Sequence, residues 1–238
     1  MTKTRNTKRD AKHERVNDIL LGSGALRRPN ILFSLERPLI RWLAGKLPAP
    51  VMPDHMTIIG FFAAVLIAVS YWLTNFDRNF LWLASFGFVL NWFGDSLDGS
   101  LARYRKIERP RFGYFIDHTV DAFTQVIIGV GIGLSPYVRF EFALFALVGY
   151  LLLSIHTYIA IFVRGVFKIS YGKFGPTETR VLAILINTLI YFVGSPTLNF
   201  AGFHITVFDG ILLTVGLLLI VVYVVSALKN AVELATEE

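Results

Sequence analysis

The sequence at residues 95–121 is DSLDGSLARYRKIERPRFGYFIDHTVD, with two pairs of aspartates at the ends of long apolar runs. Asp95 and Asp98 are three residues apart, and Asp117 and Asp121 are four apart. Residues at these spacings share one face of a helix, so each pair points two carboxylates the same way. Ionised carboxylates near a bilayer are costly. A helix cap or an arginine partner explains a single one, but four together predict a shared Mg²⁺ or Mn²⁺ site, since both ions prefer oxygen ligands.

The composition is that of a membrane protein. The chain has 238 residues, of which 54% are hydrophobic, and its mean hydropathy is +0.57. This is too apolar for an ordinary soluble domain. The chain has no cysteine, which excludes disulfides and thiolate metal sites.

Hydrophobic segments near the length that crosses a bilayer follow Pro53. We predict an all-α integral membrane protein whose six transmembrane helices form a catalytic domain over residues 53–230. The predicted spans are 56–75, 79–99, 114–134, 140–163, 179–195 and 207–228. Residues 31–48 form an amphipathic pattern that is too charged to span, with Trp42 among its apolar residues, and this predicts a helix lying in the membrane interface.

The basic residues predict the orientation. Residues 1–30 are polar and basic, and we interpret them as a cytoplasmic tail that attracts anionic lipid rather than nucleic acid. Every Lys and Arg except Arg78 and Arg139 falls on one side of the six predicted spans. Because cytoplasmic loops carry the excess of positive charge, we expect both termini and the aspartates to be cytoplasmic. The short loops favour a bacterial inner membrane.

The aspartate stretch also resembles the signature of the CDP-alcohol phosphotransferase (phosphatidyltransferase) family. The matching pattern is Asp95-x2-Asp98-Gly99-x2-Ala102-Arg103-x9-Gly113-x3-Asp117-x3-Asp121. The resemblance implies a membrane enzyme of phospholipid synthesis that moves a phosphoalcohol or phosphatidyl group from a CDP-linked donor to an alcohol hydroxyl and releases CMP. It also implies a homodimer.

The resemblance assigns roles to residues of this chain. Asp95, Asp98 and Asp117 would bind metal, and Asp121 would combine metal binding with the role of catalytic base. Thr57 is a candidate because the stretch Pro53-Asp54-x2-Thr57 is similar to a Pro-Asn-x2-Thr pattern of the family, although Asp54 replaces the Asn. The expected nucleotide- and phosphate-binding residues are Thr57, Asp98, Gly99, Ala102, Arg103 and Gly113.

The sequence leaves the substrates open. Either CDP-diacylglycerol reacts with a polar alcohol, or a CDP-amino alcohol reacts with a lipid alcohol. Asp117-His118 and the stretch 175–178 resemble choline and ethanolamine phosphotransferases of the family. The candidate residues for the acceptor-alcohol pocket are His118, Arg164, Glu178 and Arg180. A cation-coupled transporter is the alternative from another class, but such sites tend to lie near the bilayer midplane within internal repeats.

Overall fold

The computed structural model describes residues 32–164, 175–200 and 203–237. The predicted tail at 1–30 lies outside the described residues. The described part is helical apart from one short antiparallel hairpin, which the sequence did not predict. Its elements are α1 Phe33–Lys46, α2 Pro53–Leu73, α3 Phe80–Arg105, α4 Pro110–Gly133, α5 Phe140–Arg164, α6 Pro176–Val193, β1 Thr197–Phe200, β2 Phe203–Thr206 and α7 Val207–Glu237.

Four of the described helices are long and apolar enough to cross a membrane: Pro53–Leu73, Pro110–Gly133, Phe140–Val163 and Val207–Thr236. These indicate an integral membrane protein and match the first, third, fourth and sixth predicted spans. Helices α3 and α6 form where the second and fifth spans were predicted. Polar residues such as Asn91, Asp95 and Arg180 make them less apolar, so the total of six spans stays a prediction.

Prolines mark where three of these helices begin. Pro53, Pro110 and Pro176 each occupy the first turn of a helix. Proline is tolerated there because the first N–H groups of a helix have no partner within it, and its φ angle already suits the helix. At α6 the carboxylate of Glu178 also accepts a hydrogen bond from the backbone N–H of Gly175 at 3.0 Å, which caps the helix.

Helix α1 packs along α3 and leaves an apolar stripe uncovered. Ile40 and Ala44 are buried in a cluster with Leu97 and Leu101 of α3. On the other side, Leu35, Leu39 and Trp42 are 74%, 46% and 59% exposed. An exposed stripe of this kind fits a helix lying in the interface, although that placement stays a prediction.

Helices α2 and α3 cross at a very short distance at Gly94. A Cβ atom placed on Gly94 would lie 2.5 Å from the Gly60 nitrogen and 2.6 Å from the Met56 oxygen. Small residues at such crossings let helix backbones approach closely in membranes. The next residue along α3 is Asp95, so this crossing holds the first aspartate pair against α2.

At the opposite end of the helices, Asp209 connects two separate segments of the chain. This buried carboxylate accepts hydrogen bonds from the backbone N–H groups of Arg139 and Thr206, at 2.7 and 2.8 Å. The Thr206 hydroxyl in turn donates to the Tyr137 carbonyl oxygen at 2.9 Å. Asp209 therefore joins the segment between α4 and α5 to the start of α7.

Arg105, at the end of α3, fastens the connector between α1 and α2. Its guanidinium donates to the carbonyl oxygens of Leu47, Pro48, Ala49 and Val51. We expect Arg105→Ala to lower the free energy of unfolding by about 1–3 kcal/mol, because a charged donor and its hydrogen bonds are lost.

Thermal unfolding of the purified protein in detergent measures this effect. Lys46→Ala, which removes an exposed cation at the end of α1 beside the same connector, serves as the control and should leave the midpoint within a degree or two of wild type. An Arg105→Ala protein as stable as the Lys46→Ala protein would show that the connector is held by other contacts.

Candidate active site

A polar pocket opens where α2, α3 and α4 meet. It lies at the end of the fold where α3 ends and α2 and α4 begin. The four predicted aspartates all line it, two from α3 and two from α4, as the helical spacing required. The complete lining is Thr57, Gly60, Asn91, Asp95, Asp98, Asp117, Val120, Asp121 and Thr124.

Three of the carboxylates converge on one point. Asp95, Asp117 and Asp121 each offer an oxygen, and these three atoms lie within 4.8 Å of one another. Oxygens on opposite sides of a Mg²⁺ ion are about 4.2 Å apart, from bonds of about 2.1 Å. Three acidic groups this close repel each other unless a cation lies between them. The residues therefore fit a divalent ion with small side-chain movements.

Asp98 lies beside this group and is held by two hydrogen bonds. The Thr57 hydroxyl donates to Oδ2 of Asp98 at 3.0 Å, and the Gly99 backbone N–H donates to Oδ1 at 2.5 Å. Each carboxylate oxygen has a second lone pair that these contacts leave available. Its predicted roles as metal ligand and phosphate neighbour stay predictions, and Thr57 acquires a defined contact in which it orients Asp98.

Arg180 reaches the site from α6 and binds Asp95. One guanidinium nitrogen, Nη2, donates to Oδ2 of Asp95 at 2.8 Å, and Nε donates to Oδ1 of Asn91 at 2.8 Å. Asn91 in turn donates to the Gly60 carbonyl oxygen at 2.8 Å. The third nitrogen, Nη1, is buried and finds no hydrogen-bond partner among the described residues. Arg180 thus fixes one carboxylate and keeps an unused donor at the edge of the site.

Of the predicted nucleotide contacts, Thr57 and Asp98 line the pocket, and the others lie on α3 and α4 outside its lining. Gly113 has open space around it, because no atom of the described residues outside the local helix backbone lies within 4 Å of a Cβ placed there. At Gly99 the nearest atom to an added Cβ is Nη1 of Arg103, at 3.3 Å. Arg103 itself is exposed and donates to the Ser100 hydroxyl, and Ala102 is half-buried. These residues leave room for a ligand, and their nucleotide contacts stay predictions.

Two candidates for the acceptor pocket have structural partners, and His118 also lies near a site carboxylate, with Nδ1 3.7 Å from Oδ2 of Asp117. His118 stacks on Tyr114, contacts Tyr158 edge-on, and has Nδ1 2.9 Å from the Tyr114 carbonyl oxygen. Glu178 is buried and accepts from the backbone N–H groups of Leu32 and Gly175. Arg164 ends α5, and its side chain lies outside the described residues. The acceptor role of all three stays a prediction.

Sequence analysis missed four residues of the pocket: Gly60, Asn91, Val120 and Thr124. Helical spacing could have found two of them. Asn91 lies four residues before Asp95, and Thr124 lies three residues after Asp121, so each shares a face with an aspartate. A polar side chain on that face, inside an apolar run, was the available signal.

Comparison with known proteins agrees with this geometry. The sequence profile of the CDP-alcohol phosphatidyltransferase family matches residues 50–225, which include all four aspartates. The chain belongs to this family. The four described helices that are long and apolar enough to cross a membrane are consistent with this assignment. The family is generally dependent on divalent metal, which agrees with the three convergent carboxylates.

Named relatives resemble the chain over part of its length. The archaetidylinositol phosphate synthase of Pyrococcus horikoshii is 33% identical over 129 residues, which cover 53% of this chain and 62% of that protein. The phosphatidylinositol phosphate synthase of Cutibacterium acnes is 40% identical over 89 residues, 37% of this chain and 40% of that protein. The archaetidylinositol phosphate synthase of Methanothermobacter thermautotrophicus is 31% identical over 122 residues, 50% of this chain and 58% of that protein. The matched segments thus span about 40–62% of the relatives' lengths.

Proposed function

We propose that this protein transfers a phosphatidyl-type group from a CDP-linked lipid to the hydroxyl of a phosphorylated polar alcohol of the inositol phosphate class, and releases CMP. The observation that carries the proposal is the convergence of carboxylates from α3 and α4 on one pocket in a chain of this family. The choice of substrates draws on the names of the relatives, which are synthases of lipid inositol phosphates.

The chemistry divides between the carboxylates and the bound ion. A divalent ion held by Asp95, Asp98, Asp117 and Asp121 would neutralise the diphosphate of the donor and the charge that develops on the departing CMP. Mg²⁺ and Mn²⁺ both suit this set of oxygen ligands. Two hydrogen bonds, from Thr57 to Asp98 and from Arg180 to Asp95, hold these two carboxylates in place before the donor binds.

The transfer itself is a single displacement. The acceptor hydroxyl oxygen forms a bond to the donor phosphorus that carries the lipid, and the bond between that phosphorus and the CMP oxygen breaks. Asp121 takes the hydroxyl proton as this bond forms. The unused Nη1 donor of Arg180 lies at the edge of the same site, and an anionic acceptor would supply the acceptor atom that it lacks.

We propose that the pocket opens on the cytoplasmic face. All the lining aspartates lie near the end of the fold that carries Arg103, Arg105 and Arg109, whereas Arg78 and Arg139 lie at the opposite end. The excess of positive charge beside the pocket supports a cytoplasmic site. Four further parts of the same proposal still rest on the sequence and on its family resemblance. They are the cytoplasmic position of both termini, the bacterial inner membrane, the homodimer and the total of six spans.

CMP release by the purified full chain with Mg²⁺ tests the choice of substrates. One set of reactions offers CDP-diacylglycerol with inositol phosphate, glycerol phosphate or serine. The other offers CDP-choline or CDP-ethanolamine with diacylglycerol or ceramide. We expect release with the first set only, and fastest with inositol phosphate. Release with the second set alone would contradict the proposal and favour a lipid alcohol as acceptor.

A further inference from the structure

Glu36 of α1 binds two other helices through one carboxylate. Its Oε1 accepts from Nε1 of Trp92 at 2.7 Å and from the Ser96 hydroxyl at 3.0 Å, both on α3. The Thr177 hydroxyl on α6 lies 3.1 Å from Oε1 and 3.0 Å from Oε2 of the same carboxylate. Hydrogen bonds to an ionised acceptor are about twice as strong as neutral ones. Glu36 therefore joins α3 to α6 at a fixed relative position.

Glu36 and Arg180 join the same two helices at neighbouring positions. On α3, Ser96 directly follows Asp95, and Trp92 directly follows Asn91. On α6, Thr177 lies three residues before Arg180, so the two side chains share a face. Arg180 binds both Asp95 and Asn91. The Glu36 contacts and the Arg180 contacts are thus two neighbouring bridges between the same pair of helices.

A shift of α6 along α3 would separate Arg180 from Asp95. The two hydrogen bonds that Arg180 donates, to the amide oxygen of Asn91 and to the carboxylate of Asp95, are both 2.8 Å, a distance that tolerates little displacement before the geometry weakens. The apolar contact between α3 and α6 permits sliding more readily than a charged hydrogen-bond network, because dispersion is not directional. Glu36 supplies directional contacts at the adjacent residues of α3 and about one turn before Arg180 on α6.

We propose that Glu36 is a positioning residue for the metal site: by fixing α6 against α3, it places Arg180 where it holds Asp95 in the orientation that the divalent ion requires. The inference rests on the proposed function only in taking Asp95, Asp117 and Asp121 as the metal-binding group. Partners that orient metal ligands typically contribute tenfold to a hundredfold in metal affinity or activity. Glu36 acts through such a partner, so its contribution belongs at the lower end of that range.

Titration of the purified full chain with Mn²⁺ alone tests the proposal. The readout is the Mn²⁺ concentration that gives half of the metal-induced rise in the thermal midpoint. We expect Glu36→Ala and Thr177→Val each to raise this concentration, by roughly tenfold for Glu36→Ala. Glu36→Gln keeps the Oε1 acceptor for Trp92 and Ser96 and should retain most of the affinity.

The double variant and a control variant on α1 distinguish a positioning role of Glu36 from a role in packing alone. If Glu36 acts through Thr177, Glu36→Ala with Thr177→Val should be little worse than Glu36→Ala alone. Leu39→Ala removes an exposed apolar side chain from the same helix and should leave the Mn²⁺ requirement unchanged. A fall in the metal-free midpoint of Glu36→Ala with an unchanged Mn²⁺ requirement would overturn the proposal, because Glu36 would then only stabilise the fold.

Two further outcomes are decisive. Should Glu36→Ala fail to fold, Thr177→Val decides alone, and wild-type Mn²⁺ affinity in that variant overturns the proposal. The titration needs no substrate, so its result is independent of the donor and acceptor. An inactive wild-type chain that still binds Mn²⁺ through Glu36-dependent contacts would contradict the proposed function and support this inference.

Discussion

Replacing Asp121 with Asn is expected to lower the rate of CMP release by roughly 10²–10⁴-fold, the usual contribution of a positioned general base. The amide cannot accept the proton of the attacking hydroxyl, and it is a weaker metal ligand than the carboxylate that it replaces. The side chain lies in a half-buried pocket with an almost isosteric replacement, so the fold should survive. The assay is CMP release by purified variant and wild type at equal protein concentration.

Two comparisons sharpen this prediction. Glu141→Gln makes the same chemical change at the exposed start of α5, at the other end of the fold, and should leave turnover unchanged. Asp117→Asn should lose activity at low Mg²⁺ and recover part of it at high Mg²⁺, because a missing ligand can be offset by mass action. Asp121→Asn should stay inactive at saturating Mg²⁺. Full activity of Asp121→Asn would remove that residue from the mechanism.

Adding a single methyl group at Gly94 should have the largest effect on the fold. A Cβ atom there would lie 2.5 Å from the Gly60 nitrogen and 2.6 Å from the Met56 oxygen. Both contacts are with backbone atoms of α2, which cannot rotate away as a side chain can. We expect Gly94→Ala to destabilise the protein by about 1–3 kcal/mol or more, as overpacking does in tightly packed interiors.

Thermal unfolding and the yield of monodisperse protein in detergent measure the Gly94 effect. The matched control is Gly210→Ala on α7, where, within the described part of the chain, no atom beyond the local helix backbone lies within 4 Å of an added Cβ. That variant should unfold at or slightly above the wild-type midpoint, since Ala favours helices over Gly. The Gly94→Ala protein should also lose activity, because a forced separation of α2 from α3 draws Thr57 away from Asp98. If Gly94→Ala unfolds at the same temperature as wild type, the crossing of α2 and α3 can accommodate the added methyl group, which would contradict this prediction.

The convergence of the four aspartates on one pocket could be predicted from the sequence because its determinants are local. Spacings of three and four residues set the direction of each carboxylate pair, and the prolines at 53, 110 and 176 mark where helices begin. The short connector between α3 and α4 then requires the two pairs to face each other at the same end. Only the period of the helix and the chemistry of oxygen ligands were needed for that inference.

Contacts between segments that are distant along the chain could not be predicted from the sequence. Arg180 and Asp95 are 85 positions apart, and nothing local in the sequence indicates that this arginine binds that aspartate. Glu36 was one of several charges in an amphipathic helix, and its three partners come from α3 and α6. Such pairings depend on how helices pack, which the apolar pattern determines only loosely.

Polar contacts also explain why the number of spans is harder to predict than the site. Helices α3 and α6 carry the Arg180, Asn91 and Asp95 network in the interior of the fold. Polar groups that bind each other lower a helix's average apolarity without exposing charge to lipid. Similarly, the hairpin formed by β1 and β2 pairs only four residues per strand, a length at which the sequence pattern carries little information.

The most direct test of the account is CMP release from CDP-diacylglycerol before and after removal of divalent metal. Purified protein treated with EDTA should release no CMP, and added Mg²⁺ or Mn²⁺ should restore the activity in wild type but not in Asp121→Asn. Metal-dependent release of this kind would support a carboxylate-bound ion at the centre of the transfer. Release that persists in EDTA, with metal shown to be absent, would contradict the account.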